Sequence, residues 1–379
     1  MSIERGHLIS MKQFQEAIDR RIAFHNGEMR DGILLTLSLP SPSTSGDYYG
    51  RKENDAKSNL WTERDCYICD GQNRIDLMDE YRRRIETRPI INDDYVPVEY
   101  PTLHLGESYC AAMLGADVSF YGTANYTCSG AKPLIKSVKD LDKLIINTEN
   151  CWIKFIQSAL KHFCELADGK MLLVPIIAMD ALNLAVELMG STEAYTAVYE
   201  DPELLHKIME FGVEYMSYIY KIQDDIIRPY NDKTIGADSS AFGGLLMSVD
   251  AYTVCSPDVY VNMGLSYQGR LLDNVKYGYM HMHGFGLDTL LPLTAQLRGI
   301  QDYRLGRDLK SQENLPAESI VWMRKILGDD RQLSTYVSQD EFISGIKNRT
   351  LSFNAHYSCW TGNIETAKKM IEMAKNYRR

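Results

Sequence analysis

Short apolar runs alternate with helical patterns along most of the chain. Residues 11–25 repeat apolar side chains at three- and four-residue steps, which predicts an amphipathic helix. The run 33–38 is short and apolar and is followed by Pro40 and Pro42, as expected for a buried strand that ends in a loop. Further strands are predicted at 117–122, 171–177, 234–238, 277–283, 300–305, 332–337 and 350–356.

Helix-start signals lie between most of these strands. They occur at 137–140, 201–202, 256–258 and 338–341. Helical periodicity continues over 149–167, and Pro229 is predicted to end the helix that opens at Asp201-Pro202. Strands that alternate with helices indicate a parallel sheet covered by helices, and eight such units close a (β/α)₈ TIM barrel. The predicted fold class is therefore α/β with barrel architecture.

The chain of 379 residues is predicted to form a single domain. It begins with a helical segment over 1–30 and carries a long insertion at 39–105, after the first strand. The polar stretch 39–60 indicates a loop over one mouth of the fold, since no second core begins after it. An open doubly wound sheet is the main rival, but no glycine fingerprint follows the first strand.

Charge and composition narrow the range of partners. A formal net charge of -10 with no basic stripe argues against nucleic acid, so small molecules or proteins remain. The longest apolar stretch, Met171 to Met179, is interrupted by Pro175 and is far short of the roughly 20 residues that span a bilayer. The N-terminal residues lack the apolar core of a signal peptide, so we expect a cytoplasmic protein with reduced cysteines.

Three segments resemble the uroporphyrinogen decarboxylase superfamily, a (β/α)₈ family that includes corrinoid-dependent methyltransferases. Residues 171–211, MLLVPIIAMDALNLAVELMGSTEAYTAVYEDPELLHKIMEF, are similar to the family's strand, Asp-containing turn and DPE helix. Residues 255–286, CSPDVYVNMGLSYQGRLLDNVKYGYMHMHGFG, are similar to its SP-D/E helix and following strand end. Residues 351–374, LSFNAHYSCWTGNIETAKKMIEMA, are similar to its last strand and closing helix.

The resemblance covers about residues 100–379. The family contains decarboxylases and methyltransferases, and their motifs can be compared with this chain separately. Decarboxylase members carry an RQAGR motif after the first strand and an Asp beyond the second. The matching segments of this chain, LSLPSPS and FYGTANY, contain neither the arginines nor the aspartate. Methyltransferase members hold zinc with a His and a Cys two apart, plus a Cys ending the last strand. Carried over, these positions are His281, His283 and His356, with Cys359 as a nearby substitute for the last ligand.

The residues themselves independently permit a metal site at this strand end. His281 and His283 are two apart on a predicted strand, so both side chains leave the same face, near the C-terminal end that lines a barrel mouth. His356, on the last predicted strand, would complete a three-histidine set with an open position, as in catalytic zinc sites. The alternative is that the histidines are hydrogen-bonded core or surface residues without a metal.

Other candidate residues follow predicted strands. Asp180 and Asp238 are candidates for acid–base catalysis, and the alternative for each is to cap the next helix. The candidate substrate-binding residues are Tyr121, Asn125, Tyr126 and Gly284. The tyrosines could instead be packing residues, and the glycine could simply serve a turn.

These observations lead to one preferred function and two alternatives. The preferred function is a zinc-assisted methyltransferase that moves a methyl group between a small substrate and a corrinoid. We expect a partner protein to supply the corrinoid, because the chain has no D-x-H-x-x-G segment to bind it. The alternatives are a decarboxylase of the same superfamily, and a barrel without catalysis that serves as a binding subunit.

Overall fold

The computed structural model describes residues 14–39, 88–99, 108–123, 126–175, 180–273, 275–306 and 316–379. The described strands are β1 Ile33–Ser38, β2 Val98–Glu99, β3 Val118–Thr123, β4 Tyr126–Ala131, β5 Leu172–Leu173, β6 Leu245–Ser248, β7 Gly278–Met282, β8 Ile300–Leu305, β9 Gln332–Val337 and β10 Ala355–Trp360. The described α-helices are α1 Gln15–His25, α2 Arg88–Ile91, α3 Tyr109–Met113, α4 Cys151–Ala167, α5 Ala181–Met189, α6 Ser191–Glu200, α7 Pro202–Ile235, α8 Pro257–Met263, α9 Leu265–Leu272, α10 Leu287–Thr294, α11 Pro316–Leu327, α12 Gln339–Lys347 and α13 Ile364–Asn376.

A six-stranded parallel sheet forms the centre of the molecule, in the order β1-β10-β9-β8-β7-β6. A second parallel pair joins β2 to β5. The backbone N–H of Asp94, just before β2, donates to the Leu35 carbonyl of β1 at 3.0 Å. The mixed α/β fold with a parallel sheet is confirmed, but the strand ladders of the described residues do not form a closed ring.

One predicted barrel strand belongs to a hairpin instead. The segment predicted at 117–122 forms β3, which pairs antiparallel with β4 in a separate two-stranded sheet. The parallel partner of β5 is β2, which lies inside the predicted insertion at 39–105. A two-residue connection between two extended runs favours a hairpin. Hydrophobic periodicity does not reveal this, because extended runs look alike in a hairpin and in a barrel.

The predicted strand at 234–238 is wrong, because α7 continues to Ile235 and β6 begins only at Leu245. Pro229 lies inside α7 and does not end it. Tertiary hydrogen bonds hold the helix beyond the proline: the Asn231 side chain accepts from Leu173 N at 3.0 Å and donates to Leu173 O at 2.7 Å. The helix ends where Gly236 adopts the left-handed conformation, with φ 69°.

The two faces of the six-stranded sheet differ in chemistry. Apolar residues of one face join the helices in the main hydrophobic core, as Leu35 and Tyr357 do. The opposite face, which we call the inner face, carries polar residues. The exposure of its residues increases along each strand. On β10 it rises from the half-buried His356 to Trp360, whose exposed fraction is 62%, and on β9 it rises from the buried Gln332 to the exposed Tyr336. The inner face therefore opens towards the C-terminal ends of the strands.

Helix α1 covers the opposite, N-terminal end of the strands. The side-chain amide of Gln332, the first residue of β9, donates to the Phe24 and His25 carbonyls at 2.7 and 2.8 Å. Those carbonyls belong to the last turn of α1, so the amide ties the C-terminal end of this helix to the start of β9. In the described parts of the chain, the helices fall short of the length and apolar character needed to cross a membrane.

Candidate metal centre

Two imidazoles and one carboxylate meet at the C-terminal edge of the sheet. His281 lies on β7 and His283 directly follows it, and their Nε2 atoms are 3.0 Å apart. Asp250 Oδ1 is 3.6 Å from the Nε2 atom of His283. Among the described residues, these three form the group whose ligand atoms all lie within 4.8 Å of one another. We call Asp250, His281 and His283 the edge cluster.

The strand register explains why Asp250 joins the histidines. Ser248, the last residue of β6, pairs with His281 of β7, so the turn after β6 lies beside the imidazoles. The Ser248 hydroxyl accepts from the Asp250 backbone N–H at 3.0 Å, which fixes the start of that turn. Residues two apart on a strand share one face, as predicted for His281 and His283.

The edge cluster fits a metal ion in two respects. Asp250 Oδ1 is buried and accepts no hydrogen bond, although a buried carboxylate oxygen normally has a partner. Tetrahedral zinc with bonds of about 2.0–2.1 Å separates its ligand atoms by about 3.3 Å. The observed distances of 3.0 and 3.6 Å lie on either side of that value. Two imidazoles and a carboxylate are also ligand types that zinc accepts.

Gly306, at the end of β8, leaves the space that the imidazoles occupy. A Cβ atom at this position would lie 3.0 Å from His281 Cε1 and 3.4 Å from His283 Cε1. The Gly306 backbone N–H donates to the Met282 carbonyl at 2.8 Å, which holds the two strand ends together. A side chain here would press on both rings, so the glycine contributes to the shape of the edge cluster.

His356 lies elsewhere and does not join the edge cluster. Strand β10 spans Ala355–Trp360 and not the predicted 350–356, so His356 is near the start of the strand and not at its end. Its Nδ1 atom is 2.9 Å from an Arg21 nitrogen and its Nε2 atom is 2.8 Å from Thr36 Oγ1. Burial lowers the pKa of His356 well below its usual value, and the charge of Arg21 acts in the same direction.

Cys359, the substitute considered for the last ligand, is a buried residue of the hydrophobic core. It is an odd number of positions from His356, so its side chain leaves the opposite face of β10. Burial raises the pKa of its thiol to about 12. A thiol with this pKa and position is a packing residue rather than a ligand of the edge cluster.

Asp180 caps helix α5 and is fully buried. Its Oδ1 accepts from the backbone N–H groups of Leu182 and Asn183 at 2.9 and 3.0 Å. Burial raises the pKa of Asp180 to about 7; the nearby charge of Asp250 acts in the same direction, and the N–H donors oppose it. Asp180 is thus the N-cap of α5, which is the alternative to the catalytic role.

Asp238 lies at the wrong end of the strands for the role predicted. It precedes β6 and pairs with Lys276, which precedes β7, so both lie at the N-terminal ends of the strands. The hydrogen bond from Lys276 lowers the pKa of Asp238, and the backbone N–H of Ser240 donates to it at 2.9 Å. The error follows from the misplaced strand at 234–238.

The predicted substrate-binding residues are spread over two elements. Tyr121 and Tyr126 lie on the antiparallel hairpin, and Asn125 lies outside the described residues. Gly284 follows His283, and its carbonyl accepts from Leu287 N at 3.4 Å. The left-handed backbone of this turn lies two residues further on, at Gly286 with φ 75°.

Comparison with known proteins supports the fold. No family model matches this chain, and no curated protein sequence is similar to it. Among solved structures, the chain is similar to a methyltransferase from Methanosarcina mazei, with 15% sequence identity and a TM-score of 0.51. The similarity covers 78% of this chain and 84% of that chain. At this identity it shows a shared fold, and the activity has to be argued from the site.

Proposed function

We propose that this chain is a cytoplasmic methyltransferase whose edge cluster holds zinc and which moves a methyl group between a small substrate and a corrinoid. The observation that carries the proposal is the meeting of His281 Nε2, His283 Nε2 and the unpartnered Asp250 Oδ1 at the open edge of the parallel sheet. We also propose that the eight parallel strands complete a (β/α)₈ barrel, whose active sites lie at this edge.

The residues of the edge cluster have distinct tasks. His281 and His283 supply neutral nitrogen ligands, and Asp250 supplies one negative charge. A bound zinc ion would act as a Lewis acid that lowers the pKa of a thiol or hydroxyl group of the substrate. Gly306 keeps the imidazoles in place, and a partner protein would bring the corrinoid to the open edge of the sheet.

The first test is metal content. We expect the purified protein to bind about one zinc ion, and His283→Ala protein to bind it at least about 100-fold more weakly, because one of three ligands is gone. His206→Ala is the matched control, since His206 bonds to Tyr267 and lies outside the edge cluster. Equal and negligible zinc in all three proteins would refute the metal site.

The second test separates the activities. Mixing the protein with methylcobalamin and a panel of small thiols and alcohols should change the corrinoid spectrum as the methyl group leaves. Turnover of a carboxylic acid that needs neither metal nor corrinoid would instead identify a decarboxylase.

A further inference from the structure

Asp250 lies in a turn that hydrogen bonds fix from several sides. The Ser248 hydroxyl at the start of this turn accepts from the Asp250 backbone N–H, and the Thr253 hydroxyl donates to the Asp250 carbonyl at 2.7 Å. The carbonyl of the next residue, Ala251, accepts from the Tyr195 hydroxyl of α6 at 3.1 Å. The backbone on both sides of this carboxylate is therefore held in place, although its Oδ1 atom accepts no hydrogen bond.

Gln268 of α9 reaches the start of the same turn. The residue is 1% exposed, and its Nε2 atom donates to the Ser248 carbonyl at 2.9 Å. Its Oε1 atom lies 2.5 Å from the hydroxyl oxygen of Tyr260, a fully buried residue of α8. Ser248 thus accepts two hydrogen bonds, one from Gln268 at its carbonyl and one from Asp250 at its hydroxyl.

The chemistry of the two partners fixes the orientation of the Gln268 amide. A carbonyl oxygen only accepts hydrogen bonds, so the amide nitrogen must face Ser248 and the amide oxygen must face Tyr260. The Tyr260 hydroxyl then donates to that oxygen. Because Gln268 and Tyr260 are both buried, losing either partner leaves a polar group without a hydrogen bond, which is costly.

Ser248 occupies the strand position that matters for the edge cluster. It pairs with His281 in the register of β6 and β7, and it begins the turn to Asp250. In the six-stranded sheet of the described residues, β6 is the last strand and has β7 as its one partner. Contacts from outside the sheet therefore matter more for the end of β6 than for a strand with neighbours on both sides. Gln268 supplies such a contact.

We infer that Gln268 is a positioning residue of the edge cluster. By holding Ser248, it places the Asp250 carboxylate opposite the imidazoles of His281 and His283. Replacing residues that orient metal ligands from outside the ligand set typically weakens metal binding by about 10- to 100-fold. The effect on zinc rests on the proposed function, whereas the placement of Asp250 does not.

The test compares Gln268→Met with wild type. Methionine is a flexible, unbranched side chain like glutamine, but it cannot donate a hydrogen bond to Ser248. In chelator-treated protein, we expect the Asp250 amide proton to exchange with solvent deuterium about tenfold faster in the variant, because the loss of a hydrogen bond loosens the turn. In zinc-loaded protein, chelator competition should show about 10- to 100-fold weaker zinc binding.

Gln332→Met is the matched control. Gln332 is also a buried glutamine whose amide donates to backbone carbonyls, but it lies at the opposite end of the strands. The variant should leave both the exchange of the Asp250 amide and the zinc affinity unchanged. An equal change in both variants would be due to general destabilisation and would overturn the role of Gln268.

The two measurements separate this inference from the proposed function. Equal exchange rates of the Asp250 amide in wild type and Gln268→Met overturn the inference, whether or not zinc binds. Faster exchange with unchanged zinc affinity overturns the role of Gln268 in the metal site. Faster exchange in a protein that binds no zinc supports the placement of Asp250 and refutes the proposed metal site. If Gln268→Met does not fold, a wild-type Asp250 amide that exchanges as fast as an unfolded peptide overturns the inference.

Discussion

The histidines of the edge cluster and His356 occupy the same face of one sheet in different states. At the open edge, two Nε2 atoms face each other at 3.0 Å and an unpartnered carboxylate oxygen lies beside them. On β10, both ring nitrogens of His356 have partners, an arginine and a threonine. Residue type and face are the same in both regions, so the neighbours make the difference: a carboxylate oxygen lies beside the edge histidines, and a guanidinium lies beside His356.

The two regions also differ in the charge of their neighbouring side chains. The edge cluster combines a negative Asp250 with two imidazoles and suits a cation. The charged neighbour of His356 is instead a cation, Arg21.

The largest expected effect on stability comes from His356→Phe. The substitution leaves Arg21 without its hydrogen-bond partner, so the free energy of unfolding should fall by about 3 kcal/mol, measured in urea. Zinc content should not change, because His356 is outside the edge cluster. His206→Phe is the control and should cost less than about 1 kcal/mol, since a single neutral hydrogen bond is lost. Loss of zinc in His356→Phe would show that the two regions are not separate.

Asp250→Asn should weaken zinc binding and leave the stability almost unchanged, which is the opposite of the effect expected for His356→Phe. Loss of the negative charge should weaken zinc binding by at least about tenfold, measured by chelator competition. The free energy of unfolding of the metal-free protein should hardly change, because Oδ1 takes part in no hydrogen bond. Asp225→Asn is the control, since Asp225 is exposed and pairs with Lys221. Unchanged zinc affinity in Asp250→Asn would remove Asp250 from the ligand set.

The smallest effect is a change in the pH dependence of stability. The folded-state pKa of His356 lies well below 6.5, so only the unfolded chain binds this proton as the pH falls below about 6.5. Acidification therefore destabilises the folded state at His356 by up to about 1.4 kcal/mol per pH unit. The free energy of unfolding in urea is measured between pH 5 and 6.5 for wild type and for His356→Phe. The two slopes against pH should differ by this contribution. The titration of Asp180 contributes equally to both slopes, so it cancels in their difference. Identical slopes would mean that His356 is protonated in the folded state.

Sequence patterns identified many of the elements. The strand predicted at 300–305 and the one predicted at 332–337 have those bounds in the structure, because apolar residues recur at every second position in their later parts, as expected of strands with one apolar face. The helix starts at Ser256-Pro257 and Ser338 are also confirmed. Periodicity failed where tertiary hydrogen bonds decide the outcome, as in α7, which Asn231 holds beyond Pro229.

For the candidate site, the sequence by itself determined that His281 and His283 share a face at a strand end, because side chains alternate along a strand. Only the tertiary structure decided their neighbours. The register of β6 against β7 brings Asp250 to the imidazoles, and the start of β10 at Ala355 places His356 beside Arg21 instead. Register and strand ends arise from pairing between distant segments, and a single sequence does not show which distant segments pair.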